Sequence, residues 1–166
     1  MEEKKFIQLN NSDDVLTLWI KTKEGVETGE CLTFDMEDVD LLDNLDKMRV
    51  ETNKNHQWVN NQLTIINKKE DFTKKGELMS NNTKESYKVI KSYFKRQKEI
   101  FDIFLGQGGV DKLLYGRKFE WGTLTEILKI INNQIEPLLK ETTENIINKV
   151  KTKYDYSNKE NDVLEW

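Results

Sequence analysis

One cysteine and one histidine are all this chain offers for nucleophilic or soft-metal chemistry. Cys31 and His56 would have to meet to act as nucleophile and base. Cys31 stands in a run of strand formers, CLTF, and His56 falls mid-helix among asparagines, so the sequence reads His56 as a surface or interface residue. A zinc ion would need several carboxylates to complete its shell, an uncommon ligand set, and no metal is expected. Glu37, Asp38, Asp40, Asp43 and Asp46 gather carboxylates, but without the glycine-bearing spacing of a calcium loop they read as a solvated helix face. GQGG at 106–109 lacks the full G-x-G-x-x-G spacing and follows a helix where a dinucleotide motif follows a strand, so it reads as a helix breaker. Lys84, Lys88, Lys91, Lys95 and Lys98, spaced 4, 3, 4 and 3, form a ridge that could track phosphates. With arginine scarce, the preferred reading is a basic edge against the acidic start of the first helix, or a hydrated flank. No P-loop, nucleophile elbow or paired acids stand in a defined setting, and the expectation is a protein that is not an enzyme and takes no cofactor.

The elements that would position these residues follow from periodicity. Val15–Ile20 and Cys31–Phe34 are strand-like runs separated by a glycine-bearing turn, with Phe6, Ile7 and Leu9 as a further strand. From Asp35, with Asp38 three positions on, a helix is predicted over 36–67 on the stripe Val39, Leu42, Leu45, Met48, Thr52, Val59, Leu63 and Ile66, with a break near Asn53-Lys54-Asn55. A polar linker, 68–83, follows, with Asn82 and Glu85 as a cap pair. A second helix runs from about Thr83 to Leu105 with Tyr87, Ile90, Phe94, Phe101, Phe104 and Leu105 on one side. Gly106, Gly108 and Gly109 then force a turn, since glycine costs about 1 kcal/mol against alanine inside a helix. A short helical piece with Leu113, Leu114 and Tyr115 leads to Phe119 and Trp121, and Thr123 with Glu126 has the form of a capping box. The last helix carries Leu124, Ile127, Leu128, Ile131, Ile135, Leu138, Ile146 and Val150, and Pro137 predicts a kink near 133–136. The expected fold is α+β, mainly α: a small N-terminal β hairpin or three-stranded sheet and three to four helices. Residues 1–153 read as a single domain (1–35 the β unit, 36–153 helical) and 154–166 as a flexible tail in which Val163–Trp166 could dock on a partner.

The net charge of −4 conceals a segregation: residues 1–46 carry 4 Lys/Arg against 13 Asp/Glu, residues 47–100 carry 13 against 6, and residues 101–166 carry 9 against 11. Such a pattern points to complementarity within or between chains, and an acidic protein repels nucleic acid at long range. Self-association is expected and nucleic acid is not. With no run of 18 apolar residues and no secretory pattern in MEEKKFIQLN, a soluble cytoplasmic protein with no membrane partner is expected.

The segments LTFDMEDVDLLDNLDKM (32–48) and FDIFLGQGGVDKLLYG (101–116) resemble the small tail assembly chaperones of phages and prophages of Gram-positive bacteria. The resemblance implies a non-enzymatic late protein in the host cytoplasm, not kept in the mature virion, that coats the helical tape measure protein and helps bring tail tube subunits to it. On that reading Phe101, Phe104, Leu105, Phe119 and Trp121 would form or border the surface for an apolar helix of the tape measure protein, with the lysine ridge as an electrostatic contact. The lysine-rich linker and the Asn/Lys-rich C-terminal region depart from the family. The competing reading is a small phage or mobile-element regulator that inhibits a host nuclease or other defence protein.

Overall fold

The computed structural model describes residues 15–153. The architecture is α+β and mainly α, an antiparallel pair of strands followed by helices: β1 (Val15–Lys21), β2 (Glu27–Asp35), α1 (Leu41–Asn67), α2 (Asn81–Leu105), α3 (Gly109–Leu114), α4 (Trp121–Ile130), a π-helical turn (Ile131–Ile135) and α5 (Glu136–Lys153). The chain forms two compact units, Met1–Leu124 and Thr125–Trp166. A third strand from Phe6, Ile7 and Leu9, and a tail at 154–166 with its Val163–Trp166 segment, lie outside the described residues.

β1 and β2 pair with Val15 opposite Asp35, Leu18 opposite Leu32 and Trp19 opposite Cys31. The alternation sends Leu32 and Phe34 into the core and leaves Trp19 on the open face, 70% exposed. Past Trp19 the register slips, because β2 carries extra residues around Gly29, whose φ of 76° admits the bulge.

Two aspartates delay the first helix. Asp35 Oδ1 accepts from the Glu37 N–H at 3.0 Å and Asp38 Oδ1 from the Asp40 N–H at 2.9 Å, turning the backbone locally instead of letting it wind. Helix α1 therefore begins at Leu41, not at 36, and Val39 is left 88% exposed where the periodicity had placed it in the stripe. The buried line is Leu41, Leu45, Met48, Thr52, Asn55, Val59 and Ile66, alternating steps of 4 and 3 followed by one of 7 that hold one seam. No break occurs at Asn53–Asn55, because the Asn55 amide, instead of competing with its own backbone, is bonded across the seam.

Helices α1 and α2 run antiparallel: Thr52 meets Gln97, His56 meets Tyr93 and Lys69 meets Glu85. The loop between them is folded back on itself. Asp71 Oδ1 accepts from the Asn82 N–H at 3.0 Å, and Asn82 Nδ2 donates to the Lys69 carbonyl at 3.0 Å. The backbone N–H of Asn82, followed by the Ser80 side chain, holds the Asp71 carboxyl below the usual carboxylate range. The cap of α2 is Ser80, which accepts from the Thr83 N–H, and Asn82 is buried in the first turn instead of capping with Glu85.

In the second unit, Ile127, Ile131, Ile135 and Leu139 are buried in successive steps of four. Each such step overshoots a turn of 3.6 residues by about 40°, and the wider π turn at 131–135 absorbs the excess. Pro137 follows directly, so the expected kink is realised as this turn, which accommodates the missing N–H and the ring. The phase shift buries Leu139 and leaves Leu138 and Val150 of the expected stripe exposed.

Candidate functional site

The glycine corner is built around one carboxylate. Gly106 closes α2 at a φ of 88° and Gly108 stands at 73°, which only glycine adopts without strain. Asp102, one turn back, accepts from the Val110 N–H at 3.0 Å and the Gly108 N–H at 3.3 Å, so the amides of the GQGG run are held by an internal acid. Gly109 packs where a Cβ would come within 2.5 Å of Leu105 Cβ. This close approach seats α3 on the end of α2 and under β2, where Lys112 Nζ donates to the Cys31 carbonyl at 3.3 Å.

After α3 the chain reverses through Tyr115 and Gly116, both left-handed, with φ of 46° and 80°. The reversal carries Phe119 and Trp121 back to α2. Thr123 Oγ1 accepts from the Glu120 N–H at 2.9 Å and lies 2.9 Å from the Lys118 carbonyl, fixing the approach to α4. The helix begins at Trp121, two residues ahead of the cap predicted at Thr123, which instead reaches back from the third helical position.

The result is an aromatic shelf. Trp121 stacks on Tyr93 at 5.0 Å and meets Phe94 at 4.8 Å, while Phe119 stands edge-on to Phe94 at 5.4 Å and to Phe101 at 6.1 Å. Beneath it the Tyr93 hydroxyl lies 2.7 Å from His56 Nδ1, the two rings stacked at 5.5 Å. Burial pushes the Tyr93 phenol up to about 12, which keeps it protonated in the working range. Along the helical hairpin, a groove of about 620 Å³ is lined by Lys47, Glu51, Trp58, Arg96, Ile100 and Ile103, with the Arg96 guanidinium 4.5 Å over the Trp58 ring.

Of the residues expected to meet a partner, the structure joins Phe101, Phe119 and Trp121 through Phe94. Phe101, Phe104 and Leu105 are core: Phe101 is buried beneath Phe119, Phe104 stacks on Phe34 at 5.2 Å, and Leu105 backs Gly109. Phe119 is half-buried, and Trp121 is 50% exposed. The lysine ridge does not lie against the acidic start of α1, because the antiparallel pairing puts that start beside the other end of α2. Lys84 pairs with Glu77 and Lys98 with Asp111 at 2.6 Å, while Lys88, Lys91 and Lys95 are exposed. No hydrogen bond joins Cys31 to His56, and no group of three or more His, Cys, Asp or Glu is placed to hold a metal ion among the described residues. No helix among the described residues is long and apolar enough to cross a membrane.

Sequence reasoning passed over Tyr93, Gln97 and Trp58, and took Asn55 for part of a helix break. A signal for two of them existed: stepping back from Phe101 by fours reaches Gln97 and then Tyr93, both fully buried. The arrangement offers flat ring faces and aliphatic side chains at a solvent boundary, with its hydroxyl and imidazole bonded to each other. Comparison of the chain with family models, curated proteins and solved structures finds no match.

Proposed function

We propose that this protein is a non-catalytic binding protein of phage or prophage tail assembly, a chaperone that holds an apolar helix of the tape measure protein in the host cytoplasm and hands it to tail tube subunits. The observation that carries the reading is the aromatic shelf: a half-exposed tryptophan set on a rigid stack of rings beside a glycine-built corner. Large, rigid side chains at a solvent boundary are the anchors of helix-in-groove recognition, because they bury much area with little loss of freedom. The resemblance of residues 32–48 and 101–116 to tail assembly chaperones supplies the class of partner.

Trp121 is the residue to change. Its stacking contacts are worth about 0.5–1.5 kcal/mol to the fold, whereas truncating the buried Phe101 or Phe104 costs about 3–5 kcal/mol and would unfold the protein. Phe119 is a poorer choice, being wedged between Phe94 and Phe101. Trp121→Ala is expected to melt a few degrees lower while weakening binding of a tape measure helix by at least about 2 kcal/mol, a hot-spot magnitude. Titration calorimetry with a tape measure fragment reads the binding. Wild-type affinity in the variant moves the contact off the shelf, and a wild-type protein that neither binds the fragment nor keeps it soluble on co-expression overturns the chaperone reading.

A further inference from the structure

The antiparallel pairing of α1 and α2 sorts charge to the two ends of the first unit. Residues 15–49, at the corner end, carry four Lys/Arg against nine Asp/Glu; residues 50–97, which hold the linker and most of α2, carry ten against five; and residues 98–124, which complete the described part of the unit, are balanced at four against four. Asp40, Asp43 and Asp46 are exposed at one end and Lys88 and Lys91 toward the other. The groups stand roughly 20–30 Å apart at 1.5 Å of rise per residue, beyond the screening length of about 8 Å at physiological salt. They cannot neutralise each other within one chain. Each end also exposes apolar side chains that the fold leaves uncovered: Val39 and Leu42 among the acids, and Phe72, Leu78, Met79 and Tyr87 among the lysines, Leu78 being 99% exposed.

We propose that copies of this chain associate head to tail, the basic linker end of one copy docking on the acidic end of the next. Charge complementarity selects the second copy as occupant, and apolar side chains present at both ends supply the contact that charge alone gives weakly. Two different patches meet in such an interface, so it is heterologous: unless the rotation happens to close a ring, it propagates along a line instead of stopping at a pair. The inference stands apart from the tape measure reading, since it needs no second protein.

Sedimentation of the full chain tests it. At low salt and rising concentration the mean mass is expected to grow beyond a dimer, and to return to the monomer near 1 M salt, where the screening length is about 3 Å. Lys88→Glu/Lys91→Glu and Asp43→Lys/Asp46→Lys should each associate at least tenfold more weakly, since each nearly cancels the charge of one end and sets like charges where these side chains meet. Mixing the two variants one to one should restore growth, because every contact then joins opposite charges. If either variant melts early, Lys88→Gln/Lys91→Gln and Asp43→Asn/Asp46→Asn replace them and should show the same weakening without the rescue. A wild-type monomer at both salt levels, growth that stops at a dimer, or a mixture of the reversed variants no more associated than its components overturns the proposal.

Discussion

Tyr93 is fully buried yet bonded through its hydroxyl to His56. Its phenol ionises near 10 in an unfolded chain and near 12 in the fold. Below pH 10 both states are protonated and the residue adds no pH dependence. Between 10 and 12 the unfolded chain holds fewer protons, so stability should fall as pH rises through that window, by at most about 2.7 kcal/mol at 1.36 kcal/mol per pKa unit. Urea midpoints across the window read the slope, and Tyr93→Phe should remove this contribution. Gly109 is the residue at which size is decisive. A methyl group there meets Leu105 Cβ at 2.5 Å, inside the helix that carries it, so neither atom can swing away. Gly109→Ala should cost about 1–3 kcal/mol by overpacking, reduced by up to about 1 kcal/mol of helix propensity, and thermal melting checks the balance. If the variant is as stable as the wild type, the corner has slack that its geometry denies.

At the scale of elements, α1 and α2 are held in register by a polar layer. Asn55 Nδ2 donates to Gln97 Oε1 at 3.0 Å and to the Tyr93 carbonyl at 3.2 Å, and Gln97 Nε2 donates to Thr52 Oγ1 at 2.8 Å. A slide of either helix by one turn would strand these groups in an apolar seam. Asn55→Ala leaves the Gln97 oxygen without its donor and should cost about 1–3 kcal/mol in urea unfolding. Asn55→Leu/Gln97→Leu removes both partners and should be near neutral or stabilising, at the expense of a unique register. Disulfide trapping between cysteines placed on the two helices detects slipped pairings, and finding one register only in the double variant would assign the alignment to the corner and linker. The existence and order of the helices were legible because 3.6-residue stripes report elements well. The phase was less so: Asp35 and Asp38 bond to nearby backbone and delayed α1, and a buried Asn–Gln pair reads in sequence as a break because its partner lies about forty residues away.

At the scale of the molecule, the sequence carried the fold class and the corner, while the site was only half legible. Phe119 and Trp121 were placed near the surface and lie there, but Phe101, Phe104 and Leu105 went to the core, since a dense aromatic run says nothing about which ring ends underneath. The lysine ridge was visible as a pattern, and its distance from the acidic residues became readable only with the antiparallel pairing. That pairing also orders how the hairpin can zip. Lys69 and Glu85, at the linker end, close a loop of 16 residues, whereas Phe34 and Phe104, at the corner end, lie 70 apart. Closing the longer span first would cost about 1.3 kcal/mol more at 0.6 kcal/mol per doubling. The linker end therefore forms first and the corner last, and on opening the order reverses. By this reckoning the strands part from the end of α2 while the linker end still holds and α3 stays tied to α2 through Asp102, so the end that carries the acidic face is the one a waiting neighbour finds loosened.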